Sequence, residues 1–232
     1  MKVYQVDFSG FTLREWQILF EGVNKNTCIQ LKLSRIKDDN TKKTQVVSCL
    51  VKRYLLFLNG AKKFYYGTYG KPLVDSKAFK FNITHTEQLV FGVVDKNEVG
   101  IDAEAGNTLF IDFCHLFCTR KEMELLDRYS DREKNRLLWR LWTFKESYVK
   151  LLGIGLNLDL KNIKILDSLD MKHFINNRIQ HIKIEGVPII FYSKKIEDCY
   201  ITICQYDDFR EQKDFFLRQI GFEELFKAGI CN

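Results

Sequence analysis

Three acids and a lysine are the residues of this chain best placed to do chemistry. The stretch GIDAE (100–104) sets Asp102 and Glu104 two apart, and WTFKESYVK (142–150) sets Glu146 and Lys150 four apart. Side chains in a strand alternate faces, so Asp102 and Glu104 point the same way and Ala103 points away. Neighbouring carboxylates repel unless positive charge lies between them. A hard divalent cation meets that demand, and oxygen-only ligands suit Mg2+ or Mn2+. The bland alternative is an exposed strand end with two solvated acids. On a helix turning by about 100° per residue, Trp139, Trp142, Glu146 and Lys150 share nearly one face. Glu before Lys at this spacing is the favourable order, yet such a pair in water contributes only ~0.3–0.5 kcal/mol. That is small beside the cost of drawing charge into a tryptophan-rich stripe. A ligand would explain both residues, with Glu146 as a third oxygen for a cation and Lys150 as counter-charge to phosphate. A surface ion pair at the rim of a core helix is the other reading.

Other residues offer hydrogen bonds to an anion. YGKPLV (69–74) puts Lys71 beside the turn-forming Pro72, and FNITHT (81–86) ends a short apolar strand on Thr84 and His85. Ammonium, hydroxyl and imidazole groups can all donate to phosphate. Singly, each is more often structural, and His85 reads equally as a satisfied core histidine. Lys37, Lys42 and Lys43 approach a helix start, where a solvated basic face is the default. The pair of cysteines in CHLFC (114–118) lacks the further ligands a zinc site needs and reads as small apolar side chains on a packed helix.

These residues need elements to hold them. TLREWQILFEG (12–22) reads as an amphipathic helix ending at Gly22, and residues 42–60 read as a second, with Val46, Leu50, Tyr54 and Leu58 on one face. KFNITHT and QLVFGVVDKNEVGIDAE read as strands, with DKNE (95–98) as a four-residue hairpin loop between two apolar runs. A helical region follows around 108–128. Ser130 with Glu133 three residues on opens a long helix over 131–152, and GIG ends it. HIKIEG, PIIFYS and CYITICQY read as strands, and 210–228 as an amphipathic tail. Helices then strands, twice over, with a change near 103–108, predict an α+β chain of two similar halves, 1–103 and 104–232. A cleft between halves is a natural ligand site.

Composition narrows the classes. The chain has 232 residues, 46% of them hydrophobic and 28% charged, as in ordinary globular domains. No run approaches the ~20 apolar residues of a membrane helix, and the first residues do not read as a signal peptide. Seven scattered cysteines fit reduced thiols in the cytoplasm better than a disulfide framework. A net charge of +6, with thirty acids interspersed among the bases, can steer an anionic partner but does not indicate nucleic acid.

Taken in order, KDDNTK, YGKP, FNITHT, VGIDAE and WTFKESYVKLLGIGL resemble the 4'-phosphopantetheinyl transferases of the larger, surfactin type. GIDAE and WTFKESYVK match that family's two signature elements at its spacing, and the likeness spans about residues 32–160. The resemblance implies a monomer of two pseudo-twofold-related α/β halves joined near DAE, with coenzyme A bound in the cleft. It implies that Asp102, Glu104 and Glu146 hold Mg2+ (or Mn2+) on the pyrophosphate. Glu146 would also draw the proton from the acceptor serine, directly or through water. Lys150 would balance charge on the breaking pyrophosphate. Thr84 and His85 would meet the 3'-phosphate with Lys37 and Lys42, and Lys71 and Pro72 would line the adenine end. The partner implied is an apo acyl or peptidyl carrier protein, an acidic helical bundle. Two departures stand out. Lys42 occupies a position where the family often has arginine, which gives a point charge in place of a planar fork. After residue 160 no family motif is matched.

Two rival readings stay open at this point. One is another Mg2+-dependent phosphohydrolase or nuclease using the same acids. The other is a non-catalytic nucleic-acid-binding module, which the absence of a long lysine stripe with interleaved aromatics disfavours.

Overall fold

The computed structural model describes residues 1–23, 27–105, 110–167, 169, 171–176, 178–208 and 215–230. It is mixed α and β, in two compact units: Met1–Tyr65 with Leu73–Lys96 and Phe216–Asn232, and Tyr66–Pro72 with Asn97–Phe215. Elements are numbered along the chain.

The first unit starts with β1 (Lys2–Asp7), α1 (Leu13–Val23), α2 (Thr27–Ser34) and α3 (Asp39–Leu58). Short strands β2 (Tyr65–Tyr66) and β3 (Pro72–Leu73), each divided between the two units, follow along the chain, then β4 (Lys80–His85) and β5 (Leu89–Asp95) of the first unit. The unit closes with β10 (Phe216–Gln219) and α8 (Phe222–Ile230). Helix α3 starts three residues ahead of the predicted 42, because Asp38 caps it and accepts a hydrogen bond from the Thr41 backbone N–H at 2.6 Å. Val46, Val47, Leu50, Val51 and Leu55 of α3 are fully buried, each adding roughly 1.5–3 kcal/mol of apolar burial. Leu58, expected on the same face, is 40% exposed at the helix end. The sheet runs β10-β1-β5-β4. β5 lies antiparallel to both β1 and β4, with Gly92 opposite Tyr4 and Ile83. A Cβ on Gly92 would sit 2.7 Å from Leu55 Cδ1, so the bare backbone there lets α3 pack closely.

The second unit holds β6 (Val99–Ala105), α4 (Cys114–Phe117), α5 (Arg120–Leu126), α6 (Asp131–Leu152), α7 (Met171–Asn176), β7 (Ile179–Ile184), β8 (Val187–Ile196) and β9 (Cys199–Tyr206). Its sheet, β6-β9-β8-β7, is antiparallel throughout. Helix α6 matches the predicted 131–152. The Glu133 carboxylate accepts from the Ser130 backbone N–H and hydroxyl at its start, and Gly153 ends it at φ 71°, a left-handed conformation suited to glycine. The helix lies on β6 and β9 with Leu138, Leu141 and Phe144 fully buried. Its approach depends on Gly100, where a Cβ would fall 2.1 Å from Ser147 O and 2.4 Å from Leu151 N.

Three expectations change. The segment 95–98 is not a hairpin loop, because β5 and β6 enter different sheets. Two apolar runs joined by polar residues specify a turn, but not that the flanking strands pair with each other. The division into two compact units falls in the same segment, between Lys96 and Asn97. The tail expected over 210–228 holds two elements among its described residues. Residues 209–214 lie outside the described residues, 216–219 form a strand parallel to β1, and only then does α8 begin. The helical region expected over 108–128 is broken into a 3-10 turn at Phe110–Phe113, then α4 and α5; residues 106–109 lie outside the described residues.

Candidate active site

Strand β6 and helix α6 bring Asp102, Glu104, Glu146 and Lys150 together. Asp102 is 4% exposed, while Glu104 and Glu146 are half-buried. The period-two expectation for the strand is met: Asp102 stands opposite Thr202 and Glu104 opposite Tyr200 on β9, and Ala103 between them is buried. Lys150 Nζ reaches across to Asp102 Oδ1 at 2.5 Å, so the short contact of this lysine runs from the helix to the strand. Trp142 donates its indole N–H to Glu104 Oε1 at 2.9 Å. The indole is held in turn by Phe110, stacked at 5.4 Å, and Phe117, edge-on at 5.1 Å. The tryptophan stripe thus positions a carboxylate. Trp139, also on the stripe, packs against Tyr200.

The electrostatics are those of acids crowded out of water. Burial first, then the Asp102 charge, pushes Glu104 up to about 7; the Trp142 hydrogen bond and Lys150 pull the other way. Burial, then Asp102, likewise pushes Glu146 up to about 7 against Lys150. Glu146 Oε1 is buried with no hydrogen-bond partner. Such an atom costs about 1–3 kcal/mol when left unsatisfied, and a cation or a donor from a substrate would relieve it. Among the described residues no three His, Cys, Asp or Glu side chains form a ready-made metal cage. Lys150 supplies the positive charge at Asp102. The donor chemistry nevertheless fits a hard cation: three carboxylates, two of them pushed up to about 7 by burial and the Asp102 charge, and one with an orphaned oxygen.

The remaining predicted residues are described within their own units. Lys71 Nζ donates to the backbone carbonyls of Leu151 at 3.0 Å and Val99 at 3.3 Å and pairs with Glu98 at 3.4 Å. It therefore caps the C-terminal end of α6, where a cation suits the helix dipole. What it can offer a ligand is its aliphatic stem, beside a half-buried Pro72. In the first unit, exposed Lys37 and half-buried Lys42 flank the cap residue Asp38, and Lys42 also lies 3.6 Å from Asp39. Thr84, 5% exposed, and exposed His85 end β4. Lys43 lies over the Trp16 ring at 5.3 Å. Sequence reasoning passed over Lys145, which turns out to be fully buried beside Glu146. The signal was present: a lysine inside the apolar run LWTF-K demands a partner.

Residues 98–204 match the 4'-phosphopantetheinyl transferase superfamily. That span begins just ahead of β6 and ends in β9, inside the second unit, and it contains all four residues of the acidic centre. Over this segment the chain is similar to that superfamily. Its relatives include the 4'-phosphopantetheinyl transferase ffp of Bacillus subtilis, 33% identical over 42% of this chain and 44% of the relative. The L-aminoadipate-semialdehyde dehydrogenase-phosphopantetheinyl transferase of Saccharomyces cerevisiae is 33% identical over 61% of this chain and 55% of its own length. The 4'-phosphopantetheinyl transferase gsp of Aneurinibacillus migulanus is 30% identical over half of each chain. The chain spans about half the length of the curated relatives it matches.

Proposed function

We propose that the chain transfers the 4'-phosphopantetheine group of coenzyme A to a serine of an apo acyl or peptidyl carrier protein, releasing 3',5'-ADP. The observation that carries this reading is the acidic centre, Asp102, Glu104, Glu146 and Lys150, inside the segment shared with the superfamily. Asp102, Glu104 and Glu146 would hold Mg2+, with Mn2+ as the alternative. A bound divalent ion would neutralise charge on the pyrophosphate. Glu146, poised near 7 with an unsatisfied oxygen, suits the task of taking the serine proton. The serine oxygen then forms the new bond to the β-phosphorus, and the bond to the departing 3',5'-ADP breaks. Lys150, already directed into the acidic centre, balances charge on that leaving group. Trp142 fixes the Glu104 carboxylate for this work.

The remaining predicted residues complete the proposal. Lys37, Lys42, Thr84 and His85 would meet the 3'-phosphate, and Lys71 and Pro72 the adenine end. The pseudo-twofold relation of two halves, with 1–103 and 104–232 as their sequence limits, belongs to the same reading. An acidic helical carrier would be drawn by a net charge of +6. A monomer working in the cytoplasm is part of the proposal. Among the described residues no helix is long and apolar enough to cross a membrane.

The test is to weigh an apo carrier after incubation with the protein, coenzyme A and Mg2+. One phosphopantetheine gained on a serine is the expected result, lost with EDTA. Consumption of coenzyme A without any carrier would favour the phosphohydrolase reading. No mass gain across several carrier classes would sink the transferase reading.

A further inference from the structure

The second unit contains a cavity of about 400 Å³ that the acidic centre does not use. It is built from the first half of α6, the end of α7, and the paired ends of β8 and β9. Glu133, Arg136, Leu137 and Arg140 face it from the helix, at the spacing of one helical stripe. Arg178 comes from the segment ahead of β7, and Lys194 and Lys195 come from β8. Tyr129 and Tyr200 supply aromatic walls and Ile175 an apolar one.

Charge in this cavity is one-sided. Five cationic side chains line it against a single carboxylate, Glu133, and that carboxylate is already engaged by the Ser130 hydroxyl at 2.5 Å. Arg140 is 8% exposed and rigidly placed. It donates to the Ile175 carbonyl at 2.8 Å and stacks over Phe174 and Phe144 at 5.0 and 5.6 Å. Burial pulls its guanidinium down to about 10, so holding a charge here is costly. Arginines fork onto phosphate oxygens, and a desolvated one does so with the least competition from water. Arg136 and Arg178 form no ion pair among the described residues, so their charges are available as well. The volume lies in the range of small-molecule sites. The aromatic and aliphatic walls would be wasted on a bare anion.

We propose that this cavity is a second, separate binding site, taking a phosphorylated small molecule of nucleotide size with its phosphate on the arginines and its flat portion between the tyrosines. It lies near the acidic centre, because Tyr200 stands opposite Glu104 in the β6–β9 ladder, yet it draws on different side chains. Occupancy beside Tyr200 would bear on Glu104, which gives the ligand a route to modulate the reaction.

Isothermal titration with adenosine 5'-monophosphate, inorganic phosphate and adenosine tests this, each run with and without saturating coenzyme A. The expected result is saturable one-site binding of the nucleotide, weaker binding of phosphate, none of adenosine, and no displacement by coenzyme A. Arg178→Glu with Lys194→Glu should lower nucleotide affinity by about tenfold or more, as expected for lost charge-assisted contacts. Exposed Arg136→Glu is the second variant should the double variant fail to fold. The proposal is overturned by any of three results: no nucleotide binding to the wild type, equal binding to the variants, or displacement by coenzyme A. A variant that loses affinity only for an acidic carrier protein would likewise overturn it and make the face a protein-docking surface. The readout is binding, so a failed transferase assay leaves this outcome separately readable.

Discussion

Lys145 and Glu146 are adjacent on α6, and each takes charge out of water, but to opposite ends. Lys145 is fully buried and fully served: it donates to Glu122 Oε2 at 2.6 Å, to Phe117 O at 2.7 Å and to Leu160 O at 3.1 Å. Glu122 is served as well. It accepts from the backbone N–H groups of Thr119 at 2.8 Å, Ile165 at 3.2 Å and Leu166 at 3.4 Å. That closed cluster ties α5, α6 and the 160–166 segment together. On the other side of the helix, three acids share one lysine, two of them are pushed up to about 7, and one oxygen has no partner. A satisfied buried pair holds a fold; an unsatisfied one stores a demand that only a ligand meets.

Breaking the closed cluster should cost most. Lys145→Met leaves Glu122 charged, buried and short of a donor, and should lower unfolding free energy by about 3–5 kcal/mol in urea melts. A loss under 1 kcal/mol would erase the contrast between the two clusters. Glu146→Gln should do the reverse. It removes crowding, so stability holds or rises, while transfer to the carrier drops by about 10²–10⁴-fold.

The pH dependence sharpens the same contrast. Glu104 and Glu146 have folded values near 7, above the ordinary value of 4.5, so between about 4.5 and 7 the native state holds more protons than the unfolded one. Their contribution is present in full below that window and is lost as pH rises through it. Metal-free protein should therefore lose stability between pH 5 and pH 8, seen as a lower melting temperature. Added Mg2+ should restore stability at pH 8 and do little at pH 5, where protons occupy the same oxygens. Thr119→Ala should have the smallest effect. The Thr119 hydroxyl accepts from the Glu122 N–H at 3.0 Å in a complete capping box, and its loss should cost about 1 kcal/mol with transfer unchanged.

Much of this was legible before any coordinates. The limits of α6, its cap at Ser130 and its stop at Gly153 follow from local chemistry, which a linear sequence carries in full. The shared face of Asp102 and Glu104 follows from the period of a strand. What could not be read is where strands find partners. DKNE looks like a hairpin because both flanks are apolar, and only the two sheets show that β5 and β6 pair elsewhere. Nor does the segment around Lys71 show that its ammonium caps α6, which requires carbonyls 28 and 80 residues away.

The sequence by itself determined which groups could carry charge, their spacing along each element, and, through GIDAE and WTFKESYVK, the family likeness. Tertiary structure alone decided which charges are satisfied. Lys150 looked paired with Glu146, four residues away, but its close contact is to Asp102, 48 residues away. Gly100 matters only because the α6 backbone comes to rest against it. The physical reason is that desolvation depends on everything packed around a group, and that packing is assembled from segments the chain places far apart.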